Sequence, residues 1–372
     1  MTGTVSSADL PTCDWPLPPH PRGIVWPSLT WSTGEAPDPD RLDDVLDAAF
    51  DQNPNPTLAL SLACVVVHRG RIVGERYGPV TTARTRLLSW SIAKSVTQLA
   101  LGVAVLQGLV DLDTAPIAVE WADPSDPRYA ITLRELLQMR DGLEFVEDYS
   151  DPETCNCLAM LFGPGADDVA AYAAERPLAA EPGSIFNYSS GSTNLIARVL
   201  RNAVGGTADA FERFLADEVL GPLGIEEPDA RFDAAGNWIA SSYLYLRARE
   251  FARIGEFTLR DGVWDGRRLV PEGWIDRGRT AISADPADPI FYGEHWWVYD
   301  DPWGTFGAKG YEGQALLVVP GLDLVIARLG QTPSEHRPAL ESWYRELIDC
   351  FVPLETAPRA VGDADPGPFG PP

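Results

Sequence analysis

The chain has 372 residues, of which 45% are apolar, and a formal net charge of −25 at pH 7. That length and apolar content suffice for a sizeable core. The acidity, spread along the chain, excludes nucleic acid and anionic membranes as expected partners. Residues 1–21 lack the basic start and apolar run of a secretory signal, and no apolar run approaches membrane-spanning length. We therefore expect a cytoplasmic protein with no membrane partner.

The five cysteines match no zinc-binding spacing. Cys155 and Cys157 are too close in sequence for an easy mutual bridge, which favours reduced thiols. A metal or redox role for this pair is the alternative. We expect neither a metal nor a cofactor.

The first elements along the chain are an irregular arm, a helix and a hairpin. Residues 1–37 are rich in Pro, Ser, Thr and Trp, and we expect them to wrap the body without regular structure. Apolar spacing predicts a helix over 38–51. Two β-rich runs, 62–68 and 72–77, predict a hairpin around Arg69-Gly70.

Helices and loops dominate the middle of the chain, and strands return near its end. The stretch 91–107 is apolar on nearly all sides, which is typical of a buried helix. Thr132 and Glu135 form a capping-box pattern that opens another helix. The remaining predicted elements are helices at 194–202, 208–220 and 338–351, and strands at 294–299, 315–319 and 324–329. The Pro/Gly-rich tail 353–372 is expected to lie outside the fold.

This order of elements predicts an α+β fold. Strands at both ends of the chain favour one antiparallel sheet, flanked by N- and C-terminal helices, with a helical subdomain inserted. The expected lobes are a discontinuous sheet lobe, 38–90 with 246–352, and a mainly helical lobe, 91–245. An active site would then lie in the cleft between them.

Lysine usage points to a particular residue. The chain contains two lysines against 27 arginines, and one of them, Lys94, lies inside the apolar helix. Arginine cannot supply a neutral amine, whereas a desolvated lysine can act as a base. The spacing Ser91-x-x-Lys94 puts hydroxyl and amine on one helical face, at the helix start where backbone amides can bind an oxyanion. This pattern indicates an activated serine nucleophile.

Two further segments carry candidate chemistry. The loop 186–192 contains Tyr188, whose hydroxyl would have a depressed pKa near an ammonium and could act as a base and later as an acid. The alternative is a tyrosine that packs on the core from a loop. The segment 307–314 carries three glycines at the start of a strand, which predicts close backbone approach and a second oxyanion donor. The alternative there is a β-bulge or tight turn.

Together these three segments resemble the serine β-lactamase and penicillin-binding-protein superfamily, to which Ser-x-x-Lys belongs. The resemblance covers roughly residues 40–350 and is strongest to the class C-like esterase branch, in particular the 6-aminohexanoate-dimer (nylon-oligomer) hydrolases. It implies the β-lactamase/transpeptidase-like fold. It also implies Ser91 as nucleophile, Lys94 and Tyr188 as its bases, and an oxyanion hole formed by the Ser91 and Gln314 amides.

The motifs also depart from the lactam-active members. Ser190 stands where the second motif usually has Asn, and Tyr311, in Tyr311-Glu312-Gly313, stands where lactam-active enzymes have Lys or His. Lys309 lies two residues too early to fill that position and is interpreted as a loop charge. These changes favour an ester or amide substrate over a β-lactam.

Two further residues are candidate substrate contacts, Tyr149 by this resemblance and Trp297 by its place on a predicted strand. Tyr149 lies in a loop that, in the nylon-oligomer branch, supplies a tyrosine to the substrate amide, with ordinary loop packing as the alternative. Trp296-Trp297 falls on a predicted strand, so one ring should face the core. Trp297 is the candidate for the cleft, and core packing is the alternative.

The sequence thus predicts a metal-free serine hydrolase that cleaves a small-molecule ester or amide through an acyl-enzyme on Ser91. The expected assembly is a monomer or homodimer. One alternative is an acyltransferase with the same Ser-Lys-Tyr machinery. The other is a non-catalytic relative that binds peptides or peptidoglycan.

Overall fold

A computed structural model describes residues 10–11, 15–52, 54–285 and 290–353. Its α-helices are α1 Pro39–Phe50, α2 Ile92–Leu106, α3 Leu133–Leu137, α4 Asn156–Phe162, α5 Val169–Ala174, α6 Ser190–Ala203, α7 Ala208–Arg213, α8 Ala248–Leu259, α9 Trp274–Arg279 and α10 Arg337–Asp349. Its strands are β1 Leu60–His68, β2 Arg71–Tyr77, β3 Arg86–Leu88, β4 Asp229–Ala230, β5 Leu244–Arg247, β6 Val263–Trp264, β7 Arg267–Arg268, β8 Ser283–Ala284, β9 Phe291–Tyr292, β10 Trp297–Val298, β11 Phe306–Gly310, β12 Gln314–Val319 and β13 Leu324–Gln331.

One antiparallel sheet organises the molecule. Within the described residues it has eight strands in the order β2-β1-β13-β12-β11-β10-β9-β8. The N-terminal strand β1 pairs along its length with the C-terminal strand β13, for example Val65 opposite Ala327. The predicted α+β class, and a sheet built from both ends of the chain, are confirmed.

Helices cover both faces of this sheet. Alternate residues of β12 point to opposite sides. Leu317 and Val319 pack with α1 and α10, whereas Leu316 and Val318 join the core that contains α2 and α8. Because both faces are covered, the central strands β12 and β13, predicted at 315–319 and 324–329, are apolar at nearly every position.

The inserted block is helical, but two of its elements differ from prediction. Helix α6 begins at Ser190, four residues earlier than predicted, because the Ser189 side chain caps it by accepting from the Ser192 amide. The helix predicted over 208–220 is α7 followed by a π-helical segment, Phe214–Leu220. The predicted strand 294–299 is reduced to β10, because His295 has a left-handed backbone with φ 61°.

The described part of the N-terminal arm is irregular. The described residues of the arm from 15 to 37 contain no helix or strand, apart from an isolated bridge between Thr33 and Ile72. The predicted tail lies outside the described residues, except Pro353.

The predicted division into a sheet lobe and a helical lobe, at 90/91 and 245/246, stays a prediction. Helix α2 was assigned to the helical lobe, yet it also packs on strands β11 and β12 of the sheet.

Two features of the described residues concern the predictions of no membrane span and of reduced cysteines. No helix among the described residues is both long and apolar enough to cross a membrane. Four cysteines, Cys64, Cys155, Cys157 and Cys350, are buried free thiols. Cys155 and Cys157 therefore form no mutual bridge.

Candidate active site

Ser91 occupies the start of α2, at the end of a strained turn. Strand β3 ends at Leu88, and Trp90 then adopts a left-handed backbone with φ 44° before Ser91 caps the helix. Such a conformation costs a bulky residue of the order of 1–3 kcal/mol and is typical of functional sites. No hydrogen-bond acceptor is seen for the Ser91 amide among the described residues. Both the hydroxyl and the amide of Ser91 are thus available at one point.

Lys94 lies one turn further along α2 and is 1% exposed. Its Nζ is 2.9 Å from Ser91 Oγ, 2.9 Å from Ser190 Oγ and 3.1 Å from the Ser241 carbonyl oxygen. Burial lowers the pKa of Lys94, while the Glu147 carboxylate, 4.0 Å from Nζ, opposes that shift. The neutral amine expected from the sequence therefore has a physical cause.

The contacts of Lys94 suit a neutral amine. A neutral amine has two N–H donors and one lone pair. If these donors go to the Ser241 carbonyl and Ser190 Oγ, the lone pair faces the Ser91 hydroxyl. In that arrangement Lys94 is ready to accept the Ser91 proton.

Tyr188 is brought to the nucleophile, but its pKa shifts in the opposite direction from the prediction. Its hydroxyl shares a hydrogen bond with Ser91, and Lys94 Nζ lies 4.8 Å from its ring centroid. Burial raises the pKa of Tyr188 well above its ordinary value, and the Glu147 charge adds to this. The predicted depressed pKa is therefore wrong, because burial and the Glu147 charge outweigh the lowering effect of the hydrogen bond with Ser91. Tyr188 is a neutral phenol, which suits a proton donor better than a base.

Glu147 was not singled out from the sequence. Its side chain is 5% exposed and accepts from the Ser190 amide at 2.7 Å, the Ser190 hydroxyl at 3.0 Å and the Tyr149 hydroxyl at 2.8 Å. In the sequence it lies in an acid-rich run from 144 to 153, where a buried acid looks like its solvated neighbours. Only the folded arrangement shows it beneath Lys94.

Aromatic rings surround these polar groups. The Tyr311 ring centroid lies 5.5 Å from that of Trp90 and 5.2 Å from that of Tyr149. On the other side the Tyr188 ring stacks on Trp297 at 5.3 Å. Tyr149 and Tyr311 are 39% and 48% exposed, so they form the accessible rim. The structure thus places Tyr149, Tyr311 and Trp297 around the Ser91–Tyr188 pair.

The turn between β11 and β12 approaches the nucleophile through Gly310. A Cβ on Gly310 would lie 2.7 Å from the Ser89 carbonyl oxygen, so only glycine permits this approach. Tyr311 follows directly, and no acceptor for its amide is seen among the described residues. Gln314 instead pairs with Gly310 in the sheet, and its side chain bonds to Gly330. These contacts leave the oxyanion role of the Gln314 amide a prediction, and they add the Tyr311 amide as a candidate donor.

The remaining predicted residues lie as follows. Gly313 closes the turn with φ 79°, and its carbonyl faces the interior rather than the cleft. Trp296 is fully buried, so the pair of tryptophans alternates as a strand requires. Lys309 Nζ is 2.9 Å from Glu341 Oε1 on α10, so this lysine belongs to a structural ion pair.

Cys157 is also part of this cluster. Its buried Sγ lies 3.4 Å from the Tyr149 hydroxyl oxygen, and burial raises the pKa of the thiol to about 12. Among the described residues no group of three or more His, Cys, Asp or Glu side chains is placed to hold a metal ion.

Comparisons with known proteins agree with this geometry. The Beta-lactamase family model matches residues 46–349. The 6-aminohexanoate-dimer hydrolase of Paenarthrobacter ureafaciens is 23% identical, with 96% of each chain covered. The structure of a candidate 6-aminohexanoate-dimer hydrolase from Bacillus anthracis superposes with a TM-score of 0.69 at 24% identity, covering 90% of this chain and 89% of that one.

A family VIII carboxylesterase structure has a TM-score of 0.61 at 16% identity, with coverage of 84% and 98%. At these identities the structural similarities show a shared fold, the β-lactamase/transpeptidase-like fold predicted from the sequence. The family model covers most of the chain and includes the turn of Ser91, the Tyr188 segment and the β11–β12 hairpin. The chain belongs to the Beta-lactamase family.

Proposed function

We propose that this protein is a serine hydrolase that cleaves an ester or amide bond through an acyl-enzyme on Ser91. The observation that carries the proposal is the hydrogen-bonded group of Ser91 Oγ, Lys94 Nζ and the Tyr188 hydroxyl at the start of α2. The relatives described as a 6-aminohexanoate-dimer hydrolase and a carboxylesterase act on bonds of this class, which supports it.

The acylation step follows from the roles of the three side chains. Lys94 takes the Ser91 proton as Oγ attacks the carbonyl carbon. The amides of Ser91 and Tyr311 stabilise the resulting oxyanion. When the tetrahedral intermediate collapses, Tyr188 donates its phenolic proton to the leaving group and is reprotonated from Lys94. Water then repeats the sequence on the acyl-enzyme and releases the acid.

The rim of the site favours ester or amide substrates over β-lactams. A lactam antibiotic carries a carboxylate, which needs a cation near the third motif. Tyr311 occupies that position and is uncharged, and Lys309 is paired with Glu341 on α10. Glu147, beneath Tyr149, adds negative charge close to the reacting atoms.

Loss of the nucleophile tests the proposal. Ser91→Ala should abolish hydrolysis of a panel of p-nitrophenyl esters and anilides, and should abolish labelling by a fluorophosphonate, located by mass spectrometry. Ser342→Ala, on the surface of α10, is the matched control and should keep both. Near-wild-type ester hydrolysis by Ser91→Ala would refute the proposal. An added amine that outcompetes water for the acyl group would redefine the enzyme as an acyltransferase.

A further inference from the structure

Arg328, on β13, is a buried cation in an unusual setting. It is fully buried, and no carboxylate lies within 4.0 Å of its guanidinium among the described residues. Instead Nη1 donates to the Gly313 carbonyl at 3.0 Å and Nη2 donates to Thr332 Oγ1 at 2.8 Å. Burying a charge without a counterion costs free energy, and fixed dipoles offset only part of that cost. A hydrophobic residue at this position in the sheet would avoid the cost.

The atoms that Arg328 holds belong to the turn between β11 and β12. Glu312 and Gly313 have φ 59° and 79°, so the turn has two successive left-handed residues. The Gly313 carbonyl also accepts from the Tyr344 hydroxyl at 3.1 Å, and the Glu312 carbonyl accepts from the Thr332 amide at 2.9 Å. Both carbonyls are thus held from the side of the sheet away from the cleft.

Gln314 holds the third carbonyl of the same turn. Its Nε2 donates to the Tyr311 carbonyl at 2.9 Å, and its Oε1 accepts from the Gly330 amide at 2.9 Å. Gly330 in turn leaves room for the guanidinium, since a Cβ there would lie 2.4 Å from Arg328 Cζ. The side chains of Arg328 and Gln314 therefore form one clamp, supported by Gly330, behind the 311–313 turn.

We propose that Arg328 and Gln314 are positioning residues, which hold the carbonyls of the 311–313 turn and so keep the Tyr311 amide directed at the oxyanion beside Ser91. This inference rests on the proposed function. Neither side chain touches the substrate. Their effect is preorganisation, because an oxyanion donor contributes only if it is held in place before the reaction. Gln314 thus acts through its side chain.

The test compares two arginines that hold backbone carbonyls. Arg328→Met, Arg328→Lys and Gln314→Leu remove or weaken the clamp, and Tyr344→Phe removes one hydrogen bond from it. Arg253→Met is the matched control, because Arg253, on α8, donates to the Gly224 and Leu29 carbonyls away from the site. For each variant we would measure kcat and KM with a p-nitrophenyl ester, affinity for a boronic acid that forms a tetrahedral adduct on serine, and urea unfolding.

Arg328→Met and Gln314→Leu should lower kcat by roughly 10²-fold, near the loss expected for one oxyanion donor, with little change in KM. Boronate affinity should fall in parallel. Arg328→Lys should retain part of the activity, and Tyr344→Phe should show the same pattern in milder form. Arg253→Met should lose stability but keep kcat.

A clamp that is only structural gives a different result. Unchanged kcat and boronate affinity in folded Arg328→Met and Gln314→Leu, or an equal loss of kcat in Arg253→Met, would overturn the inference. If those two clamp variants fail to fold, the Tyr344→Phe variant tests the clamp instead. Unchanged boronate affinity in Tyr344→Phe would then contradict the clamp. Wild type and Ser91→Ala are assayed alongside. Turnover independent of Ser91 would refute the proposed function itself, whereas Ser91-dependent turnover with unaffected clamp variants refutes only the clamp.

Discussion

Two opposing effects act on the Lys94 amine. Its desolvation favours the neutral form, and the Glu147 carboxylate 4.0 Å away favours the charged form. Desolvation is the larger effect, so the pKa of Lys94 is lowered. Ser190 connects the two groups, since its hydroxyl lies 2.9 Å from Lys94 Nζ and 3.0 Å from Glu147 Oε1. Glu147 therefore adjusts the basicity of the Lys94 amine.

Glu147→Gln should shift the pH dependence of kcat/KM to lower pH. Activity requires neutral Lys94, so it rises as pH passes through the lowered pKa of Lys94. Removing the carboxylate removes the larger of the two charges, Glu147 and Cys157, that raise this pKa, so the pKa falls further and the acid limb moves down. Glu144→Gln, an exposed acid three residues earlier, should leave the profile unchanged. An acid limb that moves to higher pH, or stays in place, would contradict this role for Glu147.

Helix α2 depends on close packing to hold Ser91 and Lys94. Gly102 faces α9, and a Cβ there would lie 2.5 Å from Trp274 Nε1. That indole donates to the Gln98 carbonyl at 3.2 Å, so it is fixed against the helix. A glycine in the interior of a buried helix is tolerated here because the tryptophan occupies the space of its missing side chain.

Gly102→Ala should therefore destabilise the protein. Alanine improves helix propensity by about 1 kcal/mol, but overpacking against a fixed ring costs about 1–3 kcal/mol. We expect a net loss of about 1 kcal/mol in urea unfolding, with a fall in kcat if α2 shifts. In the double variant Gly102→Ala/Trp274→Phe the smaller ring should relieve the clash, so the two changes should be non-additive. If the effects of the two substitutions on the free energy of unfolding are strictly additive, the clash is relieved by movements other than a change of the Trp274 ring.

The N-terminal arm is held to the body by buried arginines. Arg260, directly after the end of α8, donates to the Pro18 and Pro19 carbonyls of the arm and pairs with Glu256 and Asp323. Glu256 and the Arg260 side chain are almost completely buried. One cation thus connects the arm, a helix of the core and the β12–β13 hairpin.

Arg260→Met should cost about 3–5 kcal/mol of unfolding free energy, because it leaves the buried Glu256 carboxylate with only the His20 ring, 3.5 Å away, as an ion-pair partner. The double variant Glu256→Gln/Arg260→Met should recover part of this loss, since it removes the unpaired charge. Urea unfolding measures both changes. The cluster is remote from Ser91, so kcat of the folded fraction should not change. A loss below about 1 kcal/mol would mean that water enters and solvates Glu256.

Local patterns predicted most of the elements. The hairpin at Arg69-Gly70 follows from turn chemistry and flanking β-rich runs, and α1, α2 and α10 follow from apolar spacing, since these signals involve residues close in sequence. The predicted element boundaries were less accurate where contacts between residues distant in sequence decide the backbone conformation. The left-handed His295, whose amide donates to the distant Leu137 carbonyl, shortened β10, whereas the early start of α6 comes from a local signal, the cap of Ser189 on the Ser192 amide.

For the site, the sequence by itself determined that the Ser91 hydroxyl and the Lys94 amine meet, because both residues lie on one turn of one apolar helix and their spacing needs no tertiary information. Tertiary structure decided everything that depends on distance across the fold. It placed Glu147 beneath Lys94, it buried Tyr188 so that its pKa rises rather than falls, and it brought Gly310 of the β11–β12 hairpin against the Ser89 carbonyl, two residues before Ser91. The physical reason is that desolvation and charge act through space, between residues that the chain keeps far apart.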